Sequence, residues 1–172
     1  MYKRQQHYRD AKITQIYEGT NGIQAMDLVG RKLPIRLGGA VGDLLGEMAG
    51  LDAELGAPEL ASIRAGLADA VAALKEATDW LLANGLQDPV DALAGATPYL
   101  RLFGIVTGGW LLARSAVAAC ELSAGGDADP RLVDKVAVAR FYAEQLLPAA
   151  RGLVPAVTAG AADLFAIPED RL

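Results

Sequence analysis

The sequence is poor in the residues that most often do chemistry or cross-link a chain. It has one cysteine, Cys120, and one histidine, His7, among 172 residues. A lone cysteine excludes an internal disulfide and fits a reducing compartment, so we expect a cytoplasmic protein. The sequence also lacks zinc-ligand spacing, a phosphate-binding loop and a Gly-x-Ser-x-Gly elbow. Neither His7 nor Cys120 has a neighbour that would make it a catalytic group.

Long hydrophobic runs are also missing. The longest candidate, residues 103–122, is interrupted by three glycines and by Arg114. It therefore falls short of the ~18 to 20 uninterrupted apolar residues that a membrane-spanning helix needs. The first twelve residues are polar and charged, unlike a signal peptide. The sequence predicts neither a membrane span nor a secretory leader.

Aromatic residues make up only 6% of a chain that is 52% apolar, so the core must consist mainly of Ala, Leu and Val. Small side chains of this kind suit packed helices better than a β-sandwich. Prolines at 34, 58, 89 and 130 divide the chain at intervals that each suit one long helix. We therefore predict an all-α protein, an up-down helical bundle of about four main helices preceded by a loop-and-helix segment.

Two of the predicted helices differ sharply in their composition. A helix over 60–84 has a seven-residue seam, and Asn84-Gly85 predicts that it ends in a left-handed cap. An earlier helix over 37–55 carries five glycines, which weaken a helix but permit close helix contacts. The seam consists of Leu60, Ile63, Leu67, Val71, Leu74, Thr78 and Leu81.

The remaining two helices are inferred from apolar spacing and proline positions. The third runs over 91–122 and is predicted to bend where Thr97 precedes Pro98. After a loop at 123–129, the fourth begins at Pro130, and Pro148 and Pro155 kink or divide the chain beyond it. Trp80, Trp110 and Cys120 are interpreted as core residues. The inward positions of the fourth helix are Leu132, Val136, Ala139, Ala143, Leu146 and Leu147.

Charge is distributed unevenly along the chain. Residues 1–36 contain seven Lys or Arg and three acids, a local charge of +4. The rest contains nine basic and eighteen acidic residues, a local charge of −9. This acidic bulk argues against nucleic acid as the partner of the whole domain. The basic start could meet an acidic surface or a phosphate-bearing ligand, or simply be solvated.

The segment before the first predicted bundle helix contains an isolated glutamate, Glu18. Ile13, Ile16 and Tyr17 place apolar bulk around it, and Gly19 frees the backbone to turn. Thr20 and Asn21 are good N-cap residues for a helix over 22–33. Desolvation would raise the pKa of Glu18 and suit it to act as a general base, although the helix dipole opposes that shift. On the residues alone, an ordinary surface glutamate is the favoured interpretation.

The stretch "YRDAKITQIYEGTNGIQAMDLVGRKL", residues 8–33, resembles the C-terminal signature of acyl-CoA dehydrogenases. The continuation after "IYEGT" is most similar to the long bacterial branch, which carries an extra helical C-terminal domain and includes the 3-methylmercaptopropionyl-CoA dehydrogenases. The resemblance implies two domains. Residues 1–34 would end the dehydrogenase helical domain with its catalytic-loop motif, and residues 35–172 would form the C-terminal helical bundle.

The resemblance also implies roles for individual residues. Glu18 is the catalytic base that removes the Cα proton of an acyl-CoA thioester, and Gly19 lies against the thioester. Thr20, Asn21 and Gly22 approach FAD at the start of the following helix, although Gly22 departs from the glutamine common in shorter members. Arg9 and Asp10 are expected to form an ion pair that braces the loop. No metal is implied, and the electron acceptor of the intact enzyme is an electron-transfer flavoprotein.

The family holds FAD between a β-barrel domain and helical domains, and this sequence contains no β-domain. We therefore expect a C-terminal fragment of the dehydrogenase that is inactive without the FAD-binding domains. The alternative is a stand-alone helical interaction domain that retains a vestigial motif. It would form a homodimer that buries Ile13, Ile16, Tyr17 and Ile23, which would be exposed in a monomer. A third possibility is a subunit of a split enzyme.

Overall fold

The computed structural model describes residues 2–17, 20–85, 87–126 and 129–171. These residues form eight α-helices and no strand, so the all-α prediction is confirmed. A π-helical turn, Leu28–Lys32, extends α2, and short 3-10 turns join several of the other helices. The helices are α1 Tyr2–Ile13, α2 Thr20–Asp27, α3 Gly39–Gly50, α4 Ala61–Asn84, α5 Pro89–Ala94, α6 Ala96–Ala124, α7 Pro130–Gln145 and α8 Ala149–Thr158.

Every residue of the predicted seam is buried. Six of the seven lie in α4, and Leu60 ends the 3-10 turn directly before it; small residues of α4 such as Ala70 and Ala77 face the same core. The seam packs against α6, α7 and α8. A regular heptad spacing keeps one face of a long helix turned toward antiparallel neighbours, which is why the sequence pattern was sufficient here.

Helix α6 lies at the centre of the described chain and contacts α2, α4, α7 and α8. Among the described helices, it is the one that is long and apolar enough to cross a membrane by length and composition. The core helix of a bundle has the same composition, and α6 buries Tyr99, Leu102, Val106 and Ala113 completely against its neighbours. Packing within the bundle therefore accounts for part of its hydrophobicity, while Leu111 and Leu122 stay exposed.

The prediction of one bent helix over 91–122 is wrong. The structure has two helices, α5 and α6, which meet at Gly95. Pro98 does not bend α6, because it occupies the first turn, where a missing N–H group costs no helical hydrogen bond. Gly95 is needed at the junction because a Cβ there would lie 2.4 Å from the carbonyl oxygen of Val157.

The predicted left-handed cap at Gly85 is also wrong. Helix α4 does end at Asn84, but Gly85 has right-handed torsion angles, φ −65° and ψ −22°. A Cβ at Gly85 would lie 2.7 Å from the carbonyl oxygen of Leu81 and 3.0 Å from the Cβ of Ala92. The residue is therefore required for the close approach of α5 and not for a positive φ.

The fourth predicted helix is followed by a break at Pro148, as predicted, whereas Pro155 lies inside α8 and does not divide it. Asp129 caps α7 by accepting a hydrogen bond from the backbone N–H of Arg131, and Pro148 precedes α8. Ala139, Ala143 and Leu147 are buried as predicted, and Leu132 and Val136 are half-buried. Leu146 was predicted to face inward but is exposed. It comes directly after the last residue of α7, where the helical periodicity no longer applies.

The two tryptophans and the cysteine contribute to packing. Trp110 is buried, with the Arg114 guanidinium 5.0 Å from its ring centroid, and Trp80 packs partly buried against the core. Cys120 is half-buried, and this burial, together with nearby Glu59, raises the pKa of its thiol. A raised thiol pKa lowers the thiolate fraction, so Cys120 is poorly suited to nucleophilic chemistry.

Thr78 and Tyr99 form a buried hydrogen bond between α4 and α6. Their hydroxyl oxygens lie 2.8 Å apart, and the Thr78 hydroxyl is also 2.7 Å from the carbonyl oxygen of Leu74. Burial raises the pKa of Tyr99 to about 12, while the Thr78 contact partly opposes that shift. The phenol is therefore kept neutral by the core that surrounds it.

We predict that Tyr99→Phe destabilises the fold by about 1 kcal/mol at neutral pH, because the Thr78 hydroxyl keeps only its backbone partner. The folded-state pKa of Tyr99 lies above the ordinary value, so its neutral form contributes stability that is complete below pH 10. This contribution is lost as the pH rises toward 12. Denaturant unfolding at neutral and alkaline pH should show wild type losing more stability than the variant. Equal losses would contradict the assignment.

We predict opposite effects for alanine at two helix glycines. A Cβ at Gly66 in α4 would lie 2.9 Å from the carbonyl oxygen of Ala143 in α7, whereas a Cβ at exposed Gly104 in α6 meets nothing within 4 Å. Gly66→Ala should lower the free energy of unfolding by about 1–3 kcal/mol, because backbone must move. Gly104→Ala should raise it by up to about 1 kcal/mol through helix propensity. Denaturant midpoints test this, and a stabilising Gly66→Ala would contradict the α4–α7 contact.

Candidate functional site

The segment that precedes the candidate base Glu18 is not buried against the helical bundle. Residues 5–17, which include most of α1, are exposed along their whole length. The exposed fractions of Ile13, Ile16 and Tyr17 are 54%, 73% and 64%, and Ile23 in α2 is 52% exposed. These four residues are thus exposed in a single chain, as predicted. The described part of α1 has no buried residue that would hold it against the bundle. A helix of about twelve residues without such packing is only marginally stable in water.

Glu18 and Gly19, the predicted base and thioester contact, lie outside the described residues. Helix α2 begins at Thr20, so the start of a helix comes directly after the predicted catalytic dipeptide. Asn21 and Gly22 are exposed, and a Cβ at Gly22 would meet nothing within 4 Å. Asn21 and Gly22 therefore form an open edge that a ligand could approach from solvent.

The predicted ion pair between Arg9 and Asp10 does not form in the described chain. Both residues lie in α1 and are exposed. Consecutive residues of a helix point in different directions, and the pairs that meet are three or four residues apart. The loop motif is therefore not braced in the way that the sequence suggested.

Helix α2 and its π-helical extension anchor this segment to the bundle. Ala25, Val29 and Leu33 are buried in the same core as α4 and α6. Asp27 receives a hydrogen bond from the Arg31 side chain, which is the main reason that its pKa is lowered, and Lys32 adds a second ion pair. Packing and ion pairs thus hold α2, the helix that follows the predicted catalytic dipeptide in the sequence, while α1, which precedes it, stays exposed. The proposed division at residues 34 and 35 stays a prediction.

The link between α2 and α3 adopts an unusual backbone conformation. Arg36, Leu37 and Gly38 have φ values of 55°, 58° and 87°. A left-handed conformation costs a non-glycine residue roughly 1–2 kcal/mol. Leu37 recovers none of that through burial, because its side chain is 93% exposed. The link thus holds an apolar side chain out in solvent at a conformational cost.

Beside this link, α3 and α4 enclose an apolar groove of about 760 Å³, which we call the glycine groove. Its walls include Val41, Leu45, Leu67 and Val71, and Gly42 and Gly46 also line it. The five glycines of the predicted 37–55 helix were expected to permit close helix contacts. Gly38 does so, because a Cβ there would lie 2.7 Å from the Leu82 side chain of α4, but a Cβ at Gly42, Gly46 or Gly50 would meet nothing within 4 Å.

A second groove continues from the first toward α2. Val29 and Leu33 line it, together with residues of α4 and α5. Leu37 and Leu82 line both grooves, so the two form one apolar surface from α2 to α3. The apolar pattern of the sequence did not predict this surface. The signal that could have indicated it is the four-residue spacing of Gly38, Gly42, Gly46 and Gly50, which keeps one face of α3 without side chains.

The comparisons with known proteins agree on a family. Residues 44–168 match the model of the family described as acetyl-CoA dehydrogenase C-terminal like. The chain is 47% identical over 146 residues to 3-methylmercaptopropionyl-CoA dehydrogenase of Ruegeria pomeroyi. It is 37% identical over 159 residues to the broad-specificity linear acyl-CoA dehydrogenase FadE5 of Mycobacterium tuberculosis. These alignments cover 83% and 86% of this chain.

The family model covers most of the chain, which therefore belongs to the acetyl-CoA dehydrogenase C-terminal-like family. The match lies within the predicted second domain, residues 35–172. The chain spans about a quarter of the length of the two curated relatives, 24% and 26%. It thus corresponds to a C-terminal-type helical portion of much longer acyl-CoA dehydrogenases.

We predict that Leu37→Asn raises the free energy of unfolding by about 0.5–1 kcal/mol, because asparagine tolerates the left-handed conformation and the leucine side chain is exposed. Ile35→Asn in the same turn is the matched control. Ile35 is also exposed but has no positive φ, so it has no such strain to relieve. Urea unfolding of both variants would measure the difference. Equal effects would show that the left-handed backbone stores no strain.

Proposed function

We propose that this chain is the C-terminal portion of an FAD-dependent acyl-CoA dehydrogenase, with Glu18 as its catalytic base. The observation that carries the proposal is the similarity of more than four fifths of the chain to two acyl-CoA dehydrogenases. The substrate would be an acyl-CoA thioester, and the reaction its α,β-dehydrogenation. The Glu18 carboxylate takes the proton from Cα and becomes a carboxylic acid. Bound FAD would supply the acceptor for the hydride that leaves Cβ.

The described residues fit FAD only as one edge of its site. A helix N-terminus offers backbone N–H groups to an anion, and exposed Asn21 and Gly22 at the start of α2 leave room for a phosphate-bearing ligand. Neither of the two grooves described above is lined by residues 20–22. Tight binding of a dinucleotide requires an enclosing surface. We therefore expect the chain alone to be inactive and to leave flavin fluorescence unchanged in an FAD titration.

The proposal extends to the partners and location of the assembled enzyme. An electron-transfer flavoprotein would reoxidise the flavin, and a cytoplasmic location fits the single cysteine. The second candidate function is a stand-alone interaction domain that forms a homodimer. It is favoured by the exposure of Ile13, Ile16, Tyr17 and Ile23. The two candidates differ in whether the chain completes a flavin site.

A hybrid enzyme distinguishes these candidates. In it, this chain replaces the stretch of the Ruegeria pomeroyi dehydrogenase to which it is similar. We predict that the hybrid retains flavin, measured by its visible absorbance, and oxidises 3-methylmercaptopropionyl-CoA. Glu18→Gln in the hybrid should lower kcat by about 10²–10⁴-fold, the usual contribution of a general base, without loss of flavin.

The matched control is Glu54→Gln, which changes an exposed glutamate in the loop after α3. This variant should retain the kcat of the hybrid. If Glu18→Gln and Glu54→Gln were equally active, Glu18 would not be the base. A hybrid that binds no flavin would favour the stand-alone interaction domain. In that case, an apparent mass of the isolated chain that increases with concentration would identify the homodimer.

A further inference from the structure

The glycines of α3 have a cost that this chain does not offset. Gly42, Gly46 and Gly50 are each less favourable in a helix than alanine would be. Close packing is the usual reason to keep glycine in a helix, but a Cβ at these positions meets nothing within 4 Å. The adjacent face of α3 is well used, because Val41, Leu45 and Met48 are buried against the core and form the inner side of the groove. The side-chain-free face is therefore open to a body that this chain does not contain.

The residues that line the glycine groove indicate what kind of surface would bind in it. The walls are apolar, and the charged residues at the rim pair within the chain: Asp52 with Arg64, and Lys75 with Asp79. Arg36 and Asp43 pair at the end of the groove near the link. These pairs leave the rim without net charge. The surface that complements the groove is thus apolar and uncharged. Gly42 and Gly46 have no side chains, so the backbone of a bound helix could approach α3 closely.

The length of the relatives identifies where such a surface comes from. About three quarters of each dehydrogenase lies beyond the stretch that this chain matches. The glycine groove also joins the second groove through Leu37 and Leu82, and that groove reaches Val29 and Leu33 in the α2 extension. A domain that contacts the predicted catalytic segment could therefore also contact α3 over one continuous apolar surface.

We propose that the glycine groove is the docking surface for an apolar helix of the flavin-bearing part of the dehydrogenase. This inference rests on the proposed function and adds the surface through which the two parts hold together. The docked helix lies across Gly42 and Gly46 and contacts the exposed side chain of Leu37. Docking there fixes α3 and α4, and thus the α2 segment, against the rest of the enzyme.

Site-resolved thiol labelling tests the occupant directly. Gly46→Cys places a thiol in the groove, and Gly104→Cys and Gly152→Cys place it on the exposed faces of α6 and α8. A Cβ meets nothing within 4 Å at any of the three positions, so all three variants should fold. Maleimide labelling is measured by mass spectrometry on the peptide that contains each position. It is done in the isolated chain and in the hybrid enzyme.

We expect all three positions to label at similar rates in the isolated chain. In the hybrid, position 46 should label about tenfold or more slowly, because labelling must wait for the interface to open, while positions 104 and 152 stay unchanged. Equal labelling of position 46 in both proteins would overturn the proposal, as would equal protection at all three positions. Protection in the isolated chain that grows with its concentration would also overturn it, because a second copy would then be the occupant.

The flavin content of the hybrid separates this inference from the proposed function. Protection of position 46 in a hybrid without flavin would support docking and contradict the catalytic role. A hybrid that binds flavin and is active but labels freely at position 46 would support the catalytic role and contradict docking in the groove.

Discussion

The fold depends on covering the apolar face of α6 that is turned toward the other helices. This helix of 29 residues is too hydrophobic to stand in water, and α2, α4, α7 and α8 each take part of its surface. The same requirement fixes α2, because Ala25 and Val29 are buried in the core that α6 organises. The residues predicted to bind the cofactor thus sit at the start of a helix that the core itself holds in place. Core packing and site position are consequences of one constraint.

Helix α3 stands apart from this arrangement, since its main helical contact is with α4. One face of α3 completes the core, and the face beside it carries Gly42 and Gly46 where a bundle helix would carry side chains. The strained link at Arg36 and Leu37 leads into it with an exposed leucine. A strained backbone, an exposed apolar side chain and unused helix glycines all destabilise an isolated chain. They become useful together only when another surface covers α3.

The sequence predicted best those features that depend on apolar periodicity. The α4 seam was identified residue by residue because a long helix with antiparallel neighbours repeats its buried positions regularly. Gly85 and Gly42 were misinterpreted because a missing Cβ serves equally a positive φ, a close contact or an open groove, and the sequence does not distinguish these. The effect of Pro98 was predicted wrongly for a similar reason, since proline occurs both at helix kinks and in the first turn of a helix. Glycine and proline mark positions precisely, but tertiary contacts decide their role.

The predicted chemistry of Glu18 imposes a requirement that connects the site to the groove. A carboxylate becomes an effective base near neutral pH when apolar surroundings exclude water from it. The neighbours expected to provide those surroundings, Ile13, Ile16 and Tyr17, are exposed in this chain. Under the proposed function, the surface that desolvates Glu18 belongs to the rest of the enzyme and covers the segment before α2. That segment leads through Val29 and Leu33 onto the same apolar surface as the glycine groove. A single covering body would then both complete the base and occupy α3, which explains why a chain with a well-packed core keeps so much apolar surface uncovered.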